Sequence, residues 1–117
     1  MAKKIMIVDD DPNIVTYLTD FLGDNGYETC SAADGPEALE LVKLEKPDLI
    51  TLDLQMPEEW GPRFYRKLMK EKELKKIPVI VISGLPGRYV AVSKSVPVFD
   101  KPIDEEGLIK EIKSIVG

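Results

Sequence analysis

The sequence predicts an α/β protein built on a doubly wound parallel sheet of five strands. Two observations predict this fold class. Short strand-like segments alternate with amphipathic helical segments, and right-handed crossovers between such strands give a doubly wound sheet. Three of the strand-like segments are apolar without alternation, which is typical of central strands buried on both faces. The 117 residues are predicted to form one domain, 1–117, large enough for a core without disulfides.

The first four elements are delimited by residues that begin or end helices. Asp11-Pro12 is a good N-cap and N1 pair, and Asn25-Gly26 ends the helix that it begins. Asp34-Gly35-Pro36 opens a second helix, and the strand between the two helices is polar enough to lie at the edge of the sheet. The predicted elements are strand 4–8, helix 12–22, strand 28–32 and helix 34–46.

The second half of the chain begins with the most apolar strand, which Pro57 must end because proline cannot extend the hydrogen-bonded ladder. Residues 58–62 are predicted to be a loop, and Phe64 and Leu68 mark the inner face of the helix after it. The predicted elements are strand 49–52, helix 63–72, strand 78–82, strand 96–99 and a last helix that starts at Asp104 or Glu105 and reaches about residue 116.

Composition excludes several function classes. The chain has no histidine, which removes His-based acid–base catalysis and nearly every transition-metal site. Its net charge of −5 disfavours direct nucleic-acid binding. No apolar run approaches the ~20 residues of a membrane span, and the single Cys30 suits a reducing compartment, so a cytoplasmic location is predicted.

Polar residues follow the strands at equivalent places. Asp9 and Asp10 follow the first strand, Asp53 the third, Ser83 the fourth and Lys101 the fifth. Because the carboxyl ends of parallel strands share one edge, these residues should converge there. Three crowded carboxylates repel one another unless a cation lies among them, and oxygen ligands suit Mg²⁺ (or Mn²⁺).

This set of residues would support attack on phosphorus. Asp53 would be the nucleophile, Lys101 a fixed ammonium and Ser83 a hydroxyl donor. Gly84 would leave room for the phosphoryl group, and the backbone carbonyl of Gln55 could complete the metal shell. Taken singly, each feature has an ordinary alternative as a helix start, a turn or a strand exit, and only the whole set favours the functional interpretation.

The motifs around these residues resemble the receiver domain of bacterial response regulators over essentially the whole chain. The segments that carry the resemblance are Val8-Asp9-Asp10-Asp11-Pro12, Leu52-Asp53-Leu54-Gln55-Met56-Pro57, Ile82-Ser83-Gly84 and Lys101-Pro102. The resemblance implies a flavodoxin-like strand order 2-1-3-4-5, bound Mg²⁺ and phosphotransfer to Asp53 from a sensor histidine kinase or a phosphotransfer protein. It also implies self-catalysed hydrolysis of the aspartyl phosphate.

Two departures from the family pattern stand out. Only 17 residues separate Ser83 from Lys101, and residues 85–93 contain proline, glycine and β-branched residues, so a shortened or irregular fourth helix is predicted. Val98 occupies the position, three residues before Lys101, where the family often has an aromatic side chain that turns inward on activation. A valine has no ring to rotate, which puts the usual output switch in doubt.

Other interpretations stay open. A degenerate receiver would bind partners without phosphate, and a flavin-binding module would share the fold. A phosphatase of the haloacid dehalogenase type would need a second acid where Gln55 stands. No output domain follows Gly117, so the chain is predicted to be a single-domain regulator or a receiver excised from a longer protein. The sequence identifies no downstream effector and leaves a homodimer open.

Overall fold

The structure is a computed structural model that describes residues 2–84 and 96–117. Within these residues a single parallel sheet has the strand order β2-β1-β3-β4-β5, which confirms the predicted fold. The strands are β1 (Lys4–Val8), β2 (Glu28–Ala32), β3 (Leu49–Leu52), β4 (Val79–Ile82) and β5 (Val98–Phe99). The helices are α1 (Pro12–Asp24), α2 (Gly35–Glu45), α3 (Trp60–Met69) and α4 (Glu105–Val116), with 3₁₀ turns at Pro57–Glu59 and Leu74–Lys76.

Aspartates begin three of the four helices found in residues 2–84 and 96–117. The Asp11 side chain accepts a hydrogen bond from the amide of Asn13, and that of Asp34 accepts one from the amide of Glu37. The Asp104 carboxylate caps α4 in the same way. Each cap satisfies an amide that the first turn of a helix leaves without a partner. These caps therefore fix where α1, α2 and α4 begin.

Several predicted boundaries were wrong by a few residues. Helix α3 begins at Trp60, inside the predicted loop 58–62, because Pro62 lies in the first turn of a helix, where its missing amide has no partner to lose. Helix α1 continues to Asp24, α2 ends at Glu45 and α3 ends at Met69. Strand β5 is limited to Val98–Phe99. The predicted irregular fourth helix, residues 85–93, lies outside the described residues.

The sheet separates two hydrophobic layers. Helices α2 and α3 cover one face, and α1 and α4 cover the other. The predicted inward-facing residues Phe64 and Leu68 are buried. The other buried helix residues with apolar side chains include Leu18, Ala38, Val42, Leu108 and Ile112. Among the described residues, no helix combines the length and apolar character needed to cross a bilayer.

Thr51, at the centre of β3, is the one strand residue whose polarity conflicts with its surroundings. Its side chain is buried between Ile7 and Ile80, on the face covered by α1 and α4. Its hydroxyl oxygen has no hydrogen-bond partner among residues 2–84 and 96–117. The desolvated hydroxyl should therefore lower the stability of the fold.

Replacing Thr51 with valine is expected to raise the free energy of unfolding by about 1 kcal/mol, because it removes an unpaired buried hydroxyl and keeps the branched shape. Urea denaturation followed by circular dichroism measures the change. Thr51→Ser is the matched control, since it keeps the hydroxyl and removes the methyl group, and it should destabilise the chain. A Thr51→Val protein no more stable than the parent would contradict the prediction.

Candidate functional site

The carboxyl edge of the sheet collects the polar residues that follow the strands. Hydrogen bonds of the ladder continue past the last strand residues, with the Asp53 amide donating to Val8 (2.9 Å) and the Ser83 amide donating to Phe99 (2.9 Å). These bonds fix the backbone of each polar residue relative to the neighbouring strand. The structure thus brings together residues that lie up to 92 positions apart in the sequence.

Three carboxylates form the centre of this edge. Each of Asp9, Asp10 and Asp53 offers one carboxylate oxygen to a group whose members all lie within 4.8 Å of one another. Asp9 and Asp53 are 3% and 4% exposed, and Asp10 faces solvent. Oxygen donors with one open, hydrated side fit Mg²⁺, which keeps several water ligands when the protein supplies few. The donor set therefore fits the metal that the sequence predicts.

Lys101 reaches this carboxylate group from the end of β5. Its ammonium nitrogen lies 3.1 Å from Oδ2 of Asp9 and 3.7 Å from Oδ2 of Asp53. The peptide bond between Lys101 and Pro102 is cis. The side chain is one-quarter exposed, so an anion arriving from solvent can still contact the ammonium group.

Burial sets the electrostatics of the two inner acids. It raises the pKa of Asp53 to about 6, with a further increase from the charge of Asp9, while a hydrogen bond from the Gln55 amide and the charge of Lys101 act in the opposite direction. Burial also raises the pKa of Asp9. Lys101 does not fully offset this cost, so the site favours an additional cation.

The remaining predicted residues surround this centre. Ser83 is fully buried directly after β4, and Gly84 is exposed, with no atom of the described residues within 4 Å of the place where its side chain would begin. Gln55 is exposed, and its amide donates to Oδ1 of Asp53 at 3.0 Å. The structure therefore places all the predicted residues at one edge, with Ser83 and Gly84 directly after β4, the strand next to β3.

Sequence reasoning missed two contributions to the site. The amide of Asp11 donates to Oδ1 of Asp9 (2.9 Å), so a residue identified only as a helix cap also orients a carboxylate. Gly61 packs against the backbone of Asp53 and Leu54, an approach that only a glycine permits. The sequence shows a glycine, Gly61, in the segment after the third strand, but it does not show which backbone atoms that glycine contacts.

Comparison with known proteins agrees with the geometry of this edge. The response regulator receiver domain family matches residues 5–113. The chain belongs to this family. The receiver is 36% identical to Protein Rrf1 of Nitratidesulfovibrio vulgaris over 104 residues, which cover 89% of this chain and 75% of Rrf1. It is 33% identical to the polar-differentiation response regulator DivK of Brucella anthropi over 121 residues, covering 100% and 98% of the two chains.

A solved structure supports the same assignment. The signal receiver domain of a signal transduction histidine kinase from Syntrophus aciditrophicus has a TM-score of 0.87 and 32% identity, covering 98% of this chain and 90% of that one. The receiver therefore has the flavodoxin-like fold of its family and is consistent with two-component signalling. Val98, which stands where the family often has an aromatic residue, is half-buried in β5 beside Val81. It packs against the core layer under α2 and α3.

Proposed function

We propose that the whole chain, residues 1–117, acts as a phosphoacceptor receiver in which Asp53 takes a phosphoryl group from a sensor histidine kinase or a phosphotransfer protein. The observation that carries this proposal is the convergence of three carboxylates and one ammonium group at a single edge of the sheet. A strand cap or a turn would not require this combination of charges. The receiver would work in the cytoplasm and contact neither nucleic acid nor membrane directly.

The transfer is a substitution at phosphorus. A carboxylate oxygen of Asp53 attacks the phosphorus atom, a P–O bond forms, and the P–N bond to the donor imidazole breaks with its electron pair returning to the nitrogen. Asp53 must be ionised to attack. The ammonium group of Lys101, 3.7 Å from Asp53, favours that ionised form despite the burial that opposes it.

A divalent cation held by Asp9, Asp10, Asp53 and the backbone carbonyl of Gln55 would neutralise charge on the transferring group. Lys101 lies close enough to exchange its contact with the Asp53 carboxylate for one with a phosphoryl oxygen. The hydroxyl of Ser83 and the amide of Gly84 would donate to the other oxygens, since no atom of residues 2–83 and 96–117 occupies the space beside the Gly84 α-carbon.

Phosphorylation would change partner binding by pulling Ser83 and Lys101 toward the added charge. Such a movement would be passed to the segment after Gly84 and from there to a downstream effector. Val98 has no aromatic ring that could turn inward in response to the movement. The change in partner binding would therefore depend on displacement of the backbone and not on rotation of an aromatic side chain.

The direct test incubates the chain with acetyl phosphate and Mg²⁺ and follows the phosphoryl adduct by intact-mass spectrometry. The parent should acquire one adduct, and Asp53→Asn should acquire none, because an amide oxygen is a poor nucleophile. Beryllofluoride with Mg²⁺ should change the fluorescence of Trp60 in the parent only.

Asp20→Asn is the matched control, since Asp20 is an exposed carboxylate on α1 away from the carboxyl edge, and it should be labelled like the parent. A parent that remains unlabelled while a known receiver is labelled in parallel would overturn the proposal. That result would favour a degenerate receiver that binds its partners without phosphate.

A further inference from the structure

The connection between β3 and α3 forms a loop that returns to its own starting point. Gly61, in the first turn of α3, lies against the backbone at the start of the loop. A methyl group on Gly61 would lie 2.6 Å from the carbonyl oxygen of Leu54 and 2.7 Å from that of Asp53. The backbone of the phosphoacceptor therefore lies in direct contact with the first turn of α3.

This loop, residues 54–60, contains a turn that other contacts must stabilise. Glu58 and Glu59 both have φ of 58°, in the left-handed region that side chains with a Cβ atom disfavour. Two such residues in succession persist only where surrounding contacts over-determine the conformation. Neither glutamate caps the following helix with its side chain, so the stabilising contacts lie elsewhere.

Trp60 supplies contacts on two sides of this turn. Its indole lies against Gly35 at the start of α2, so closely that a methyl group on Gly35 would be 2.6 Å from Cγ of the ring. The guanidinium of Arg63 lies 4.2 Å from the ring centroid and donates to the carbonyl oxygen of Glu58 (3.3 Å). Trp60 thus joins α2, the left-handed turn and α3.

A cavity of about 190 Å³ lies between this loop and the start of α2. Trp60 lines it together with Met56, and Asp10 of the carboxylate group lines it on the other side. Without the indole, the loop would lose its contact with the start of α2 and would be free to move toward the cavity. Such a movement would shift the segment that carries Gln55, whose amide contacts Asp53.

We propose that Trp60 is a positioning residue for the phosphoacceptor site, because it fixes the loop that carries Gln55 against the start of α2. The inference rests on the proposed function, since the loop is held in place for the cation and the phosphoryl group. Trp60 itself touches neither. It acts through the backbone of residues 55–59, as residues behind a metal ligand do when they set the orientation of that ligand.

Trp60→Ala should weaken Mg²⁺ binding about tenfold, the lower range for loss of a group that orients a metal ligand. Isothermal titration calorimetry measures the affinity without using Trp60 fluorescence. Amide hydrogen exchange of the metal-free chain gives a second readout, and residues 55–59 should lose protection. Trp60→Phe, which retains an aromatic ring, should restore part of both effects.

Gly35→Ala tests the same contact from the other side. The added methyl group should displace the indole and weaken Mg²⁺ binding although Trp60 is still present. The double variant Gly35→Ala/Trp60→Ala removes the ring that the methyl group would strike, so it should bind Mg²⁺ no more weakly than Trp60→Ala alone. Independent structural damage would instead give additive losses.

Ile112→Ala is the control for general destabilisation, since Ile112 is fully buried in the layer under α1 and α4. It should lower stability and leave Mg²⁺ affinity unchanged. The inference is overturned if the parent binds Mg²⁺ and Trp60→Ala, Trp60→Phe and Gly35→Ala bind it equally well. If the parent chain itself binds no Mg²⁺, the proposed function is overturned together with the inference. The affinity of the parent therefore distinguishes the two failures.

Discussion

Lys101→Met is expected to slow the phosphorylation of Asp53 by acetyl phosphate about 10²- to 10³-fold, the usual effect of removing one charge-stabilising group from a phosphoryl-transfer site. The ammonium group lies within 4 Å of both buried carboxylates, at 3.1 and 3.7 Å, and in the proposed function it would contact the incoming phosphoryl oxygens. Methionine keeps most of the volume of the side chain and removes only its charge. Intact-mass spectrometry over a time course at saturating Mg²⁺ gives the rate.

Lys4→Met provides the matched control for this prediction. The Lys4 ammonium pairs with Glu45 at 2.8 Å and lies at the start of β1, at the opposite edge of the sheet. Its removal should leave the labelling rate unchanged. If Lys101→Met were labelled as fast as Lys4→Met, the role of Lys101 in phosphotransfer would be refuted.

The fold class and the convergence of these residues could be predicted from local patterns, whereas the strand order 2-1-3-4-5 was implied by the resemblance to receiver domains. Apolar strands, aspartate caps and the rule that parallel strands end at one edge determine where Asp9, Asp53 and Lys101 must lie. No long-range information is needed for that step. The same reasoning predicted the edge position of β2 and the central position of β3.

The features that could not be predicted depend on contacts between distant elements. Trp60 reads as a loop residue in the sequence, yet it begins α3 and packs against Gly35, 25 positions earlier. The left-handed turn is formed by Glu58 and Glu59, and because neither is a glycine, the sequence does not indicate it. The degree of burial that raises the pKa of Asp53 also depends on the assembled sheet and not on neighbours in sequence.

Asp53→Asn is expected to stabilise the metal-free chain by about 3 kcal/mol at about pH 8, because it removes a buried charge whose pKa is raised by roughly two units, each worth about 1.4 kcal/mol. Burial raises this pKa from 3.8 to about 6 in the folded chain. Between these values the folded state binds more protons than the unfolded state. The stability that Asp53 costs at high pH is therefore recovered as the pH falls through about 6.

The difference in stability between the two proteins should consequently shrink as the pH is lowered and should be small near pH 4, where Asp53 of the folded parent is neutral. Urea denaturation of both proteins across this range measures it. Mg²⁺ at about 100 times its Kd should stabilise the parent at high pH by about 2.7 kcal/mol and Asp53→Asn by less, since one of the three carboxylates is gone. A pH-independent difference would show that the ionisation of Asp53 does not oppose folding and that a cation is not needed to offset it.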